Sequence, residues 1–88
     1  MDDYKVVFKN SVKKDLKKIK QSNLKNQFES VVQVLKENPF QPTQSFEKLQ
    51  PKHSGRYSRR INHQHRVVYT IDEELKVVTI YSAWSHYE

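Results

Sequence analysis

At 88 residues the chain has room for one domain and none for a second core. It has no cysteine, so it has no disulfide framework, no thiolate nucleophile and no thiolate metal site. No stretch approaches the ~20 apolar residues that span a bilayer. Sixteen Lys and Arg against ten Asp and Glu leave a formal charge of +6, which draws polyanions: nucleic acid, an anionic membrane or an acidic protein. A solvated lysine coat would have the same composition. Residues 1–4 are acidic and lack an apolar run, so no secretory signal is expected and a reducing, cytoplasmic setting is.

Residues 4–8, with Tyr4, Val6, Val7 and Phe8, read as a first strand. Asn10 or Ser11 is expected to cap a helix over 11–21. Its apolar residues Val12, Leu16 and Ile19 form one stripe, and Lys13, Lys14, Lys17, Lys18 and Lys20 clothe the rest. Ser22 and Asn23 restart the chain for a second helix, whose buried face is Leu24, Phe28, Val31, Val32 and Leu35. It ends near Glu37, because Pro39 disfavours helix at Asn38.

Residues 38–45 form a loop, 46–49 a short extended stretch and 51–55 a turn region. Three strands are predicted at 56–61, 66–71 and 76–82, and the short links between them suit antiparallel hairpins. Alternation sets Val67, Tyr69 and Ile71 against Arg66, Val68 and Thr70, and Val78 and Ile80 against Val77, Thr79 and Tyr81. Arg66 is expected on the face away from the helices, joined by some of Ser58, Arg59 and Arg60. The fold class is α+β, in the order β-α-α-β-β-β, with two N-terminal helices on one face of a twisted antiparallel sheet.

There is no Gly-rich phosphate loop and no GxSxG elbow. His63 and His65 would need a third ligand to hold a metal, and the plainer expectation is exposed turn histidines with no metal and no cofactor. A basic cluster runs through Arg56, Arg59 and Arg60, then His65 and Arg66, then His86 and Tyr87, interleaved with Tyr57, Tyr69, Tyr81 and Trp84. The planar guanidinium fork grips phosphate, and aromatic rings stack on unpaired bases, which points to RNA or single-strand contact. Cross-strand ion pairs to Asp72, Glu73 and Glu74, or an interface with an acidic protein, remain alternatives. The lysines of the first helix read as a solvated face that adds only non-specific attraction.

Glu47-x-Leu49, Ser54-Gly55-x-Tyr57-Ser58-Arg59-Arg60-Ile61, His65-Arg66-Val67-Val68-Tyr69 and the late pair His86-Tyr87 resemble the YoeB/Txe toxins of bacterial toxin–antitoxin systems. These are ribosome-dependent mRNA endonucleases within the RelE/ParE superfamily. The resemblance is clear over residues 46–87; the helical half matches in layout. It implies two helices packed on an antiparallel sheet. It also implies mRNA cleavage in the ribosomal A site without metal or cofactor, by attack of the 2′-OH on the adjacent phosphate.

Position by position, the resemblance implies that Glu47 is the general base, Arg66 stabilises the transition-state charge, His86 is the general acid and Tyr87 orients His86 or substrate. Arg59, Arg60, Lys48, Gln50 and Lys52 are the expected RNA and phosphate contacts. Gln50 departs from the lysine of relatives, with Lys48 or Lys52 as substitutes, and Glu88 follows the His-Tyr pair. The lead-in Ala83-Trp84-Ser85 is also unlike the usual one, and Trp84 is expected to anchor the tail.

The implied partners are mRNA on the 70S ribosome, an acidic YefM/Axe-like antitoxin, promoter DNA only through the antitoxin complex, and a second copy in a homodimer; no membrane is involved. Two other readings stay open: a ParE-type inhibitor of DNA gyrase, against which the His-Tyr pair argues, and a non-catalytic RNA-binding module.

Overall fold

A computed structural model describes residues 3–51, 54–62 and 64–84. Strand β1 (Lys5–Phe8) runs through a 3-10 turn (Asn10–Val12) into α1 (Lys13–Lys20) and α2 (Lys25–Glu37). Strands β2 (Glu47–Lys48), β3 (Arg56–Arg60), β4 (Arg66–Asp72) and β5 (Val77–Ser82) follow. They form one five-stranded sheet in the order β1-β5-β4-β3-β2.

The α+β layout holds, with two differences from the expectation. The extended stretch around Glu47 is a true edge strand, β2, paired antiparallel to β3. The sheet is mixed rather than antiparallel, because β1 lies parallel to β5 with Lys5 opposite Val77 and Phe8 opposite Ile80. The helical pair carries the chain from one sheet edge to the other, and the β2–β5 meander returns it beside β1.

The first helix starts later than expected. Neither Asn10 nor Ser11 caps it; Ser11 Oγ instead donates to the Tyr81 carbonyl at 3.5 Å. The second helix likewise begins without a side-chain cap, with Leu24 at its N-cap; Ser22 Oγ lies in the turn before it, accepting from Leu24 N–H at 3.1 Å while donating to Ile19 O at 2.8 Å.

The apolar stripes meet as drawn from their spacing. Val12, Ile19, Phe28, Val31 and Leu35 bury against Val67, Tyr69, Val78 and Ile80 on one sheet face. Each fully buried aliphatic side chain contributes roughly 1.5–3 kcal/mol, which lets a sheet with a two-residue edge strand stay in register. Both hairpins are closed by side chains. Asn62 Oδ1 accepts from the N–H groups of Gln64 and His65 at 2.8 and 2.7 Å, and Asp72 Oδ1 from Leu75 N–H at 3.0 Å.

The register of β4 and β5 slips once. Val68 faces Ser82 while Tyr69 faces Ile80, which leaves Tyr81 as an extra residue in β5. Among the described residues no helix is long and apolar enough to cross a membrane.

Candidate functional site

Residues paired across a sheet point to the same side. Glu47 stands opposite Ser58, and Ser58 opposite Val68. Two positions along, Arg60 stands opposite Arg66. These side chains therefore share the face turned away from the helices. Arg66 Nη1 donates to Glu47 Oε1 at 3.2 Å, reaching from β4 over β3 to the edge strand. The pair is accessible: Arg66 is 19% exposed and Glu47 58%. It is the ion pair found among the described residues; the expected alternative, arginines bridged to Asp72, Glu73 and Glu74, is not seen there.

The same face carries more positive charge. Arg56, opposite Thr70, lies with its guanidinium 5.5 Å from the centre of the Tyr81 ring. Lys9 Nζ approaches that ring at 5.4 Å. Lys9 was not singled out from the sequence, because only the parallel β1–β5 pairing brings it to this face; Tyr81 was named among the aromatics of the basic cluster, and the register slip leaves it as the extra residue of β5. Ser58 Oγ is buried beside Glu47 with no hydrogen-bond partner among the described residues.

Arg59 is a correction. It was expected to contact RNA, but it stands opposite Val67 on the helix-facing side and is 0% exposed. Its Nη1 donates to Thr43 O at 2.8 Å and its Nη2 to Pro39 O at 2.9 Å. The guanidinium carbon sits 4.6 Å from the Phe46 ring centre. Arg59 thus clamps the 38–46 loop onto β3 and has no face left for phosphate. Tyr69 joins the clamp, donating to the same Pro39 carbonyl at 3.2 Å. Burial pushes its phenol far above the ordinary tyrosine range, with the Arg59 guanidinium pulling partly the other way.

Lys48 is also turned away from Glu47. It pairs with Tyr57 and lays its ammonium 5.8 Å from that ring, on the helix-facing side. Gln50 is exposed just beyond β2. Lys52, His86 and Tyr87 lie outside the described residues.

His65 is a second correction. Expected as an exposed turn residue, it is 9% exposed and stacked on Trp84, with ring centres 4.1 Å apart and planes 19° off parallel. His63 lies outside the described residues. Among those described, no three His, Asp or Glu side chains cluster as a metal would need.

Residues 1–87 match the family model of the YoeB-like toxin of bacterial type II toxin-antitoxin systems. The chain belongs to this family. A YoeB dimer from Staphylococcus aureus is 30% identical, with a TM-score of 0.80 over 96% of this chain and 98% of that one. A YoeB–YefM complex from the same organism gives 30% identity and a TM-score of 0.76 over 96% and 98%. A YoeB/ParE toxin from Agrobacterium tumefaciens shares the fold at 24% identity, with a TM-score of 0.83 over 94% and 99%. No curated protein matches the sequence. In this YoeB-like toxin Glu47, Arg60 and Arg66 lie on the face opposite the one the helices occupy.

Proposed function

We infer that the chain is a ribosome-dependent mRNA endonuclease, the toxin of a toxin–antitoxin pair, cutting mRNA in the ribosomal A site. The observation that carries this reading is the accessible Arg66–Glu47 pair at 3.2 Å, with Arg60 opposite Arg66 on the same face. Both guanidinium groups can grip the phosphate of an RNA strand laid on this face.

The chemistry follows from the residues at hand. Glu47, freed when the phosphate engages Arg66, takes the proton of the ribose 2′-OH. The oxygen attacks the adjacent phosphorus, and Arg66 and Arg60 face the charge that develops on the phosphorane. The bond to the 5′-oxygen breaks as His86 gives that oxygen a proton, with Tyr87 orienting the acid. The products are a 2′,3′-cyclic phosphate and a 5′-hydroxyl. No step requires a metal.

The chain's positive charge suits both the RNA and an acidic antitoxin segment that would cover the open face. YoeB–YefM complexes and a YoeB dimer among the relatives support such an antitoxin partner and a homodimer. Promoter DNA would be bound only through the antitoxin. A cytoplasmic setting follows from the ribosomal substrate.

The chemical test is the product end and the substrate hydroxyl. Cleavage should leave a cyclic phosphate, fail on mRNA with a 2′-O-methyl group at the cut site, and lose about 100-fold or more in rate in Glu47→Ala and in Arg66→Ala. Wild-type rates in either variant would overturn the roles given to Glu47 and Arg66.

A further inference from the structure

The reaction drawn around Glu47, Arg60 and Arg66 leaves a second group on the same face unused. Arg56, Ser58 and Arg60 alternate with inward residues along β3, and Ser58 stands opposite Glu47. Arg56 therefore shares the face of the Arg66–Glu47 pair. Its guanidinium reaches past Thr70, its partner on β4, to lie 5.5 Å from the centre of the Tyr81 ring on β5. Lys9, just beyond β1, brings Nζ to 5.4 Å from the same ring. Two cations from distant parts of the chain thus meet on one aromatic side chain.

The backbone fixes this meeting point. Lys9 N–H donates to Ile80 O at 3.0 Å, and Tyr81 O accepts from Ser11 Oγ at 3.5 Å. Lys9 and Arg56 are exposed and Tyr81 is half-buried. Among the described residues neither cation pairs with a carboxylate. Asp72, on the same face of β4, closes the β4–β5 link instead, accepting from Leu75 N–H at 3.0 Å.

We propose that Lys9, Tyr81 and Arg56 form a second RNA subsite, which holds a backbone phosphate of the mRNA other than the one that is cut. This rests on the functional reading above, in which RNA lies across this face. Arg56 and Arg60 are four residues apart on one strand, about 13 Å. One phosphate does not span that distance, so the group at Tyr81 takes another phosphate of the same RNA strand. The guanidinium and the ammonium supply the donors for its oxygens, and the ring sets where the two cations stand. Two anchors fix the direction of the RNA across the sheet as well as its position, which one phosphate contact alone leaves free.

The test is the salt dependence of binding to a short 2′-O-methyl RNA oligonucleotide, which has no free 2′-OH to attack and so is not cut. Each single-strand phosphate that a protein neutralises contributes about 0.7 to the slope of log Kd against log salt. The double variant Lys9→Gln, Arg56→Gln should therefore lose about 0.7 of that slope and bind roughly tenfold more weakly at low salt. Lys13→Gln, Lys17→Gln removes the same charge from the exposed face of α1 and should keep the wild-type slope. Tyr81→Phe, which keeps the ring, should bind the oligonucleotide more tightly than Tyr81→Leu. In cleavage of ribosome-bound mRNA the Lys9→Gln, Arg56→Gln loss should appear as a raised KM.

A wild-type slope in Lys9→Gln, Arg56→Gln overturns the proposal. So does an equal loss in the α1 variant, which would make the effect one of net charge, or a loss that tracks a lowered melting temperature. Intact oligonucleotide binding with weakened binding of an acidic antitoxin segment overturns it too, and gives the cluster to a protein partner. The functional reading fails separately. A wild-type chain that binds the oligonucleotide through these residues yet cuts no mRNA keeps the subsite and loses the nuclease. A chain that cuts, with the double variant at wild-type KM, keeps the nuclease and loses the subsite.

Discussion

Adjacent arginines on β3 meet opposite surroundings. Arg60 lies on the open face across from Arg66. Arg59 points into the molecule, where carbonyl oxygens rather than carboxylates receive its hydrogen bonds. Removing it leaves the Pro39 and Thr43 carbonyls without those bonds, at about 1–3 kcal/mol for each buried orphan. Arg59→Ala should therefore lower unfolding free energy in urea by about 3 kcal/mol or more, and Arg59→Met, which refills much of the volume, by less. Each variant should retain cleavage per folded molecule, unlike Arg66→Ala. Weak cleavage from a fully stable Arg59→Ala protein would return Arg59 to the RNA-binding set.

Tyr69 adds a pH signature at the same clamp. Its folded-state pKa is raised, chiefly by burial, so the fold favours the protonated phenol. That contribution is complete below about pH 10, where unfolded tyrosine begins to ionise. Above it, stability should fall by up to about 1.4 kcal/mol per pH unit as the unfolded chain releases its proton first. Tyr69→Phe should be less stable at neutral pH, having lost the bond to Pro39 O, and should show a shallower fall above pH 10. Parallel thermal melts of the two proteins across that range check this; identical alkaline slopes would contradict it.

At the scale of elements, the parts legible in the sequence were those with a local cause. The stripe Leu24, Phe28, Val31 and Leu35 is a property of one helix, and its spacing alone predicts the buried face. The β3–β4 and β4–β5 hairpins follow from short polar links, and the side chains of Asn62 and Asp72 do close them. The parallel pairing of β1 with β5 had no such cause. It depends on where the helical pair delivers the chain, and no pattern inside residues 4–8 encodes a partner some seventy residues away.

The site was legible in the same partial way. Glu47 and Arg66 were named from a motif, and they do meet. Arg59 was misassigned although the signal was present, since Tyr57 and Ile61 flank it at a spacing of two and both lean on the core. Its charge outweighed that alternation in the reading. His65 carried no comparable signal, because its burial depends on Trp84, a neighbour distant in sequence. Lys9 needed the parallel pairing of β1 with β5 before it could be seen beside Tyr81 and Arg56.

At the scale of the molecule, the sheet divides the work. One face buries the helices and carries the stability of the fold. The other holds Glu47, Arg60, Arg66, Arg56 and Tyr81 against solvent. A site laid on strands rather than on loops holds its geometry without a lid, and a basic open face suits a substrate that arrives already positioned on another assembly. This is the feature that makes dependence on the ribosome physically reasonable: the chain supplies groups around one phosphate, and the ribosome would supply the orientation of the mRNA.

The most direct measurement is primer extension on a translated mRNA, with and without ribosomes, using the wild-type chain beside Arg66→Ala and His86→Ala. Cleavage within the A-site codon that requires ribosomes and disappears in both variants is the expected result. Cleavage of the free mRNA at equal rate, or cleavage that survives both substitutions, would contradict a ribosome-dependent nuclease working through these residues.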